Sequence, residues 1–209
     1  MKTPQINKAK FFDYFIIIAR FQLAIIFIMY GYSKLTEGQF GLSNEMLENP
    51  IKELNLMQIG WYIFDKQPFK FFIGISQIIC GILLLINRTV LIGAIIFLPI
   101  ALNILIIDLT IMPTQMANAF AFRLGFYIIL DLLIFYHYKD RIIKALKTLT
   151  ESIKPKYKHK IWALLFIPIF AIILEFATVI PNIIWGLVSS PEKMINDLRE
   201  TLNLILKLF

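Results

Sequence analysis

Long apolar runs separated by short polar breaks dominate the chain. They cover 14–32, 70–87, 89–109, 120–138 and 161–187. A bilayer crossing takes about 20 apolar residues at 1.5 Å each, so the pattern predicts five transmembrane helices. The breaks near Asn87 and over 110–119 are short, which makes the helices they join antiparallel neighbours. The break 33–69 is too long for a plain connector. Its apolar positions Leu54, Met57, Ile59, Trp61 and Phe64 predict one or two short helices lying on the mouth of the bundle. Over 190–209, Met194, Ile195, Leu198, Leu202, Ile205 and Phe209 recur at helical spacing behind Ser190, Pro191 and Glu192, which suit a helix start. This tail is expected to be an amphipathic surface helix.

Composition agrees with a membrane setting. The 209 residues are 58% hydrophobic, with mean hydropathy +0.72, well above the average soluble domain. The formal net charge of +7 comes from basic residues that flank the apolar runs, so it reads as a topology signal and as affinity for anionic headgroups, and nucleic acid is not an expected partner. Eight basic residues lie between Lys139 and Lys160, three precede the first run, and none lies in 110–119. The positive-inside rule then places the N-terminus and the 139–160 loop in the cytoplasm and, with five spans, the C-terminus outside. The first run contains Arg20 and lacks a small-x-small cleavage site, so it is expected to be a retained span. A lone cysteine, Cys80, cannot form an internal disulfide and is expected to pack as a small residue. His137 and His159 lack metal-site spacing, and no metal is expected.

Candidate chemistry comes from the ionisable residues inside the runs: Arg20, Asp108, Arg123, Asp131 and Glu175. Hydrocarbon tolerates such groups when they are paired or line a polar path. Counting from each membrane face matches Arg20 with Asp131 in depth, and Asp108 with Arg123; Asp13 competes for Arg20. Arg20, Ala24, Phe27, Gly31 and Lys34 fall on one helical stripe. Gly74-x-x-Gln77-x-x-Cys80-Gly81 presents a small-residue face to a neighbouring helix. Arg20, Gln77, Asp131 and Glu175 are thus candidates for an intramembrane polar network. Lys34, Asn103, Asp108 and Arg123 are candidates for a ligand pocket beneath 33–69, with Asn103 at its floor. The same groups could serve only as interhelical glue. No catalytic residue is identifiable.

Three stretches resemble the DoxX-like membrane proteins. They are Arg20-Phe21-Gln22-Leu23-Ala24 with Tyr30-Gly31-Tyr32-Ser33-Lys34-Leu35 and Gln39-Phe40; Gly81-Ile82-Leu83-Leu84-Leu85-Ile86-Asn87-Arg88-Thr89 with Leu91-Ile92-Gly93-Ala94; and Asn103 with Asp108. The resemblance covers roughly residues 15–140. It implies an antiparallel four-helix bundle in a bacterial cytoplasmic membrane. Some members of the wider family are linked to thiosulfate:quinone oxidoreduction and others to membrane oxidoreductase complexes. The family usually carries a glutamate where this chain has Gln77, and an amide cannot exchange protons as a carboxylate does.

The expected protein is therefore all-α and transmembrane. A four-helix DoxX-like domain spans 1–140, a basic cytoplasmic loop 141–160, and a fifth transmembrane helix with an amphipathic tail 161–209. Three functions fit. The first is a redox-associated subunit that contacts quinone or another amphipathic ligand, with a membrane or periplasmic oxidoreductase as partner. The others are a non-catalytic scaffold subunit and a small-solute carrier. No cofactor motif is evident, and quinone enters only through the resemblance.

Overall fold

The computed structural model describes residues 8–36, 39–48, 50–151 and 157–206. The chain divides into two compact units, Met1–Glu151 and Ser152–Phe209. In the first unit, helices α1 (Lys8–Leu35), α4 (Phe69–Leu85), α5 (Val90–Ile111) and α6 (Thr114–His137) pack as a ring of four. Each helix touches the next, and α6 returns to α1. Successive helices run antiparallel, as the tight turns require. We call the end that carries the α4–α5 turn the open end, and the opposite end the capped end.

Four helices among the described residues are long and apolar enough by themselves to cross a membrane: Lys8–Leu35, Val90–Ile111, Thr114–His137 and Ile167–Ser189. Leu56–Phe64 and Phe69–Leu85, bent by 81°, make a fifth if the pair is counted as one span. The expected all-α transmembrane fold is the one observed.

The core follows from the periodicity of α1. Its inward stripe is Ile16, Ala19, Arg20, Leu23, Ala24, Phe27, Gly31 and Lys34. Phe27 packs against Phe97 of α5, with ring centroids 4.1 Å apart and the planes tilted by 32°, and both are fully buried. The closest approach is between α1 and α4. A methyl group added at Gly31 would collide with the Gly74 carbonyl oxygen and lie 2.8 Å from Ile78 Cγ1. One added at Gly81 would lie 2.7 Å from the Ala24 carbonyl oxygen. These positions pair in one antiparallel register, Gly31 against Gly74 and Ala24 against Gly81. Small residues let two backbones meet where lipid offers no hydrophobic drive, so dispersion and packing supply the association.

The segment between α1 and α4 forms the cap. It contains α2 (Asn44–Leu47), a 3₁₀ turn (Ile51–Glu53) and α3 (Leu56–Phe64). Asn55 and Gln58 form a reciprocal capping box at the start of α3. Gly60 rests against Ile111 at the end of α5. Gly41 adopts a φ of 104°, a conformation glycine reaches without Cβ strain, and its N–H donates to the Trp61 carbonyl at 3.2 Å.

The basic segment after α6 differs from expectation. Residues Lys139–Thr150 form a helix, α7, where the sequence reading had a loop. The density of lysines masked the helical recurrence of Ile142, Leu146 and Leu149.

The second unit comprises α8 (Ile161–Leu165), α9 (Ile167–Ala177), α10 (Ile180–Ser189) and α11 (Pro191–Leu206). The expected fifth span is the stretch Ile167–Ser189, with Pro168 at its start and a short interruption between α9 and α10 just ahead of Pro181. A proline removes an N–H and crowds the preceding turn. Gly186 of α10 packs against the Met194 side chain of α11, consistent with the amphipathic tail.

The α1–α4 seam gives a paired prediction. Gly31→Ala should destabilise the protein by about 1–3 kcal/mol, because backbone atoms must move. Gly125→Ala, where an added methyl meets nothing within 4 Å, should be neutral or stabilise by up to about 1 kcal/mol. Thermal unfolding in detergent checks both; equal effects would refute the seam.

Candidate functional site

Arg20 lies on α1 at the level where α4 ends. Its Nε donates to the Leu84 carbonyl at 3.2 Å. Its Nη2 donates to the carbonyls of Leu84 at 3.1 Å and Leu85 at 3.3 Å, and to Asn87 Oδ1 at 2.9 Å. The last carbonyls of a helix have no partner within the helix and carry its negative dipole end. A guanidinium is the natural cap for them, since its planar fork can address two carbonyls at once.

This corrects the expected pairing of Arg20 with Asp131. The depth match holds in register: Asp13 of α1 meets His137 of α6 at 3.0 Å, and Arg20 lies two turns from Asp13, as Asp131 lies nearly two turns from His137. Arg20 nevertheless turns to α4. Asp131 and Gln77 are both fully buried, and their side-chain oxygens and the Gln77 nitrogen have no hydrogen-bond partner among the described residues. Asp131 lies within electrostatic reach of Cys80, whose thiol donates to the Gly93 carbonyl at 3.4 Å. Glu175 lies on α9 in the second unit, exposed there.

The capped end holds the denser group. Lys34 is 5% exposed and Asp108 7%, and the two are within electrostatic reach of each other. Lys34 Nζ donates to Gln39 Oε1 at 2.9 Å and lies 5.4 Å from the Tyr30 ring and 5.5 Å from the Phe40 ring. Arg123 reaches the same tyrosine from α6, its Cζ 5.4 Å from the Tyr30 ring centre. Arg123 Nε donates to the Tyr127 hydroxyl at 2.7 Å. Two cations thus share one aromatic ring, an electrostatic attraction to the ring face.

The expected Asp108–Arg123 ion pair is absent among the described residues; Asp108 is within electrostatic reach of Lys34, and Arg123 is held by tyrosines. Arg123 is exposed on the outer surface of the ring, roughly 13 Å into α6 at 1.5 Å per residue. The cluster therefore opens sideways, between α1 and α6, as well as towards the cap. Asn103 does not floor it. Two residues beyond the buried Ala101, it is turned to the opposite side of α5 and is exposed.

Above the cluster is a cavity of about 440 Å³. Gln39, Phe40, Gly41, Trp61, Asp65 and Lys70 are among its lining residues. Lys70 and Asp65 form an ion pair at 2.8 Å across its wall. Gln39 connects cavity and cluster, because it lines the first and accepts from Lys34 in the second. The sequence reading missed Tyr30, Tyr127 and Gln39 as site residues. The signal for the tyrosines was present as hydroxyl-bearing rings one helical turn from Lys34 and from Arg123.

Residues 15–108 match the DoxX family model. This bears out the resemblance drawn from the motifs, and the chain is DoxX-like over those residues. The match ends at Asp108, so α6, with Arg123 and Asp131, lies beyond it. An uncharacterized protein of Bacillus subtilis (strain 168), YwoB, is 38% identical over 90 residues, which is 43% of this chain and 57% of that protein. The chain thus matches little more than half the length of that relative. No solved structure matches. Together the match and the apolar helices make the chain a multi-pass membrane protein in contact with lipid.

Two substitutions test the placement of the inner charges. Arg20→Met should destabilise by about 1.5–3 kcal/mol, the value of charge-assisted hydrogen bonds, whereas Gln77→Met should be neutral or stabilising, because it removes unpartnered buried polar atoms. Arg20→Gln and Asp131→Asn should combine additively within about 0.5 kcal/mol. A coupling well above that in denaturant titrations would restore the direct pair.

Proposed function

We propose that this DoxX-like membrane protein binds an amphipathic molecule with an oxygen-bearing, planar head, of the quinone class, at the capped end of its first unit. The observation that carries the reading is Arg123: a cation well inside a membrane-length helix, on the outer surface of the ring, 5.4 Å from the Tyr30 ring centre and sharing that ring with a second cation. An exposed guanidinium at that depth calls for an acceptor that lipid tails cannot provide. Lys34 has three donors and Arg123 five, and each has one hydrogen bond described above to a side chain of this chain. Quinone carbonyls accept hydrogen bonds, and Tyr30 and Phe40 offer faces on which a ring can stack. These residues fit such a head. A bound quinone would supply two-electron carrier chemistry; the chain supplies donors, aromatic faces and a sideways entrance from the lipid.

The reading includes a bacterial cytoplasmic membrane, with the open end inside, on the strength of the basic residues that flank that end. It also includes an oxidoreductase partner, suggested by the family's wider associations. A second reading, a scaffold subunit, draws on Arg20, which acts as a structural cap. Small-solute transport has less support, since the cluster opens beside the ring and towards the cap.

The test is extraction in mild detergent followed by mass spectrometry of co-purifying lipids and quinones. The wild type should retain quinone, and Arg123→Ala and Lys34→Met should each lower the quinone retained per folded protein about tenfold. Retention of phospholipid alone, lost in the same variants, would reassign the site to a lipid headgroup. Retention of neither would favour the scaffold.

A further inference from the structure

Helix α7 is the one long helix of the described first unit without a buried face. None of its residues is buried. Ile143 is 49% exposed, Leu146 53% and Leu149 70%. At 100° per residue, Ile142, Ile143, Leu146 and Leu149 make one stripe. Lys147 borders the stripe on one side and Arg141 on the other, and Lys144 lies opposite. Asp140 is the one acidic residue within Lys139–Thr150.

The position of α7 matters as much as its pattern. It follows directly on α6, whose last turn carries Tyr136 and His137, with Tyr138 at the joint. Aromatic residues at the end of a span mark the headgroup level. Lys139 Nζ lies 5.1 Å from the Tyr136 ring, tying the first residue of α7 to that level. A helix starting there with an exposed apolar stripe and cations on both borders has the construction of an interfacial helix.

We infer that α7 lies in the plane of the membrane surface at the open end and docks on anionic lipid headgroups. Its apolar stripe enters the acyl boundary, and Arg141 and Lys147 reach phosphates at its borders. The charge decides the partner: a cationic rim gains little from zwitterionic headgroups and much from a negative surface. This inference stands apart from the ligand site, because α7 is at the other end of the bundle.

The full-length protein can be tested in vesicles of phosphatidylcholine alone and of phosphatidylcholine with phosphatidylglycerol. Nitroxide labels are placed one at a time through Leu146→Cys, Leu149→Cys, Lys144→Cys and Thr148→Cys; Cys80 is fully buried and serves as the labelling blank. With phosphatidylglycerol, the ratio of oxygen to nickel-chelate collisions at 146 and 149 should exceed that at 144 and 148 about tenfold. In phosphatidylcholine alone, or in Arg141→Gln with Lys147→Gln, the contrast should shrink several-fold. The lipid comparison needs no charge variant, so a misfolded variant leaves the test intact. Equal nickel access at all four positions would overturn the inference. So would apolar-face labels that are immobile and shielded irrespective of lipid charge, since they would place α7 against protein.

Discussion

A guanidinium inside a bilayer must find acceptors, and the end of a helix inside a bilayer must find donors. Arg20 and the last turn of α4 meet both needs with one contact. The contact requires α1 and α4 to lie close and in register, and Gly31, Gly74, Ala24 and Gly81 provide that approach. The rest of the ring follows from this pair. Once α1 and α4 are locked antiparallel, the tight α4–α5 turn sets α5 beside α4. The short α5–α6 connection then sets α6 back against α1, with Phe27 and Phe97 packed together and buried.

The same economy separates the two ends of the bundle. At the open end the buried cation is satisfied by backbone, which leaves it no evident chemical task. At the capped end Lys34 and Arg123 lie beside tyrosine rings and a glutamine, partners that hold a cation in place without neutralising it. Asp108 is an acid within electrostatic reach of Lys34, while Arg123 is exposed. On the reading proposed above, positive charge left partly uncompensated beside aromatic rings is what would receive a planar, oxygen-rich head.

The legible part of this arrangement was geometric. The stripe Arg20, Ala24, Phe27, Gly31 and Lys34 is buried on α1, and Gly74 and Gly81 are the points of closest approach. Periodicity and residue size carry that information directly. Partners were less legible. Depth counting set Arg20 level with Asp131, but depth does not say which way a long side chain turns, and nothing in an apolar run announces that a neighbouring helix ends there with open carbonyls. Asn103 failed for a related reason, since depth was used where helical phase decides. Helix α7 is obscured in the sequence because four basic residues interrupt the apolar positions that mark its helical spacing.

The central claim is that the ring formed by Tyr30, Lys34, Arg123 and Tyr127 receives a planar head entering from the lipid. Photolabelling with an azidoquinone in native membranes, followed by peptide mapping, tests it most directly. The account predicts adducts concentrated on Tyr30–Phe40 and on Arg123–Tyr127, displaced by excess unlabelled quinone. Adducts spread evenly over the lipid-facing surfaces of α1, α5 and α6, or confined to the open end near Asp131, would contradict it.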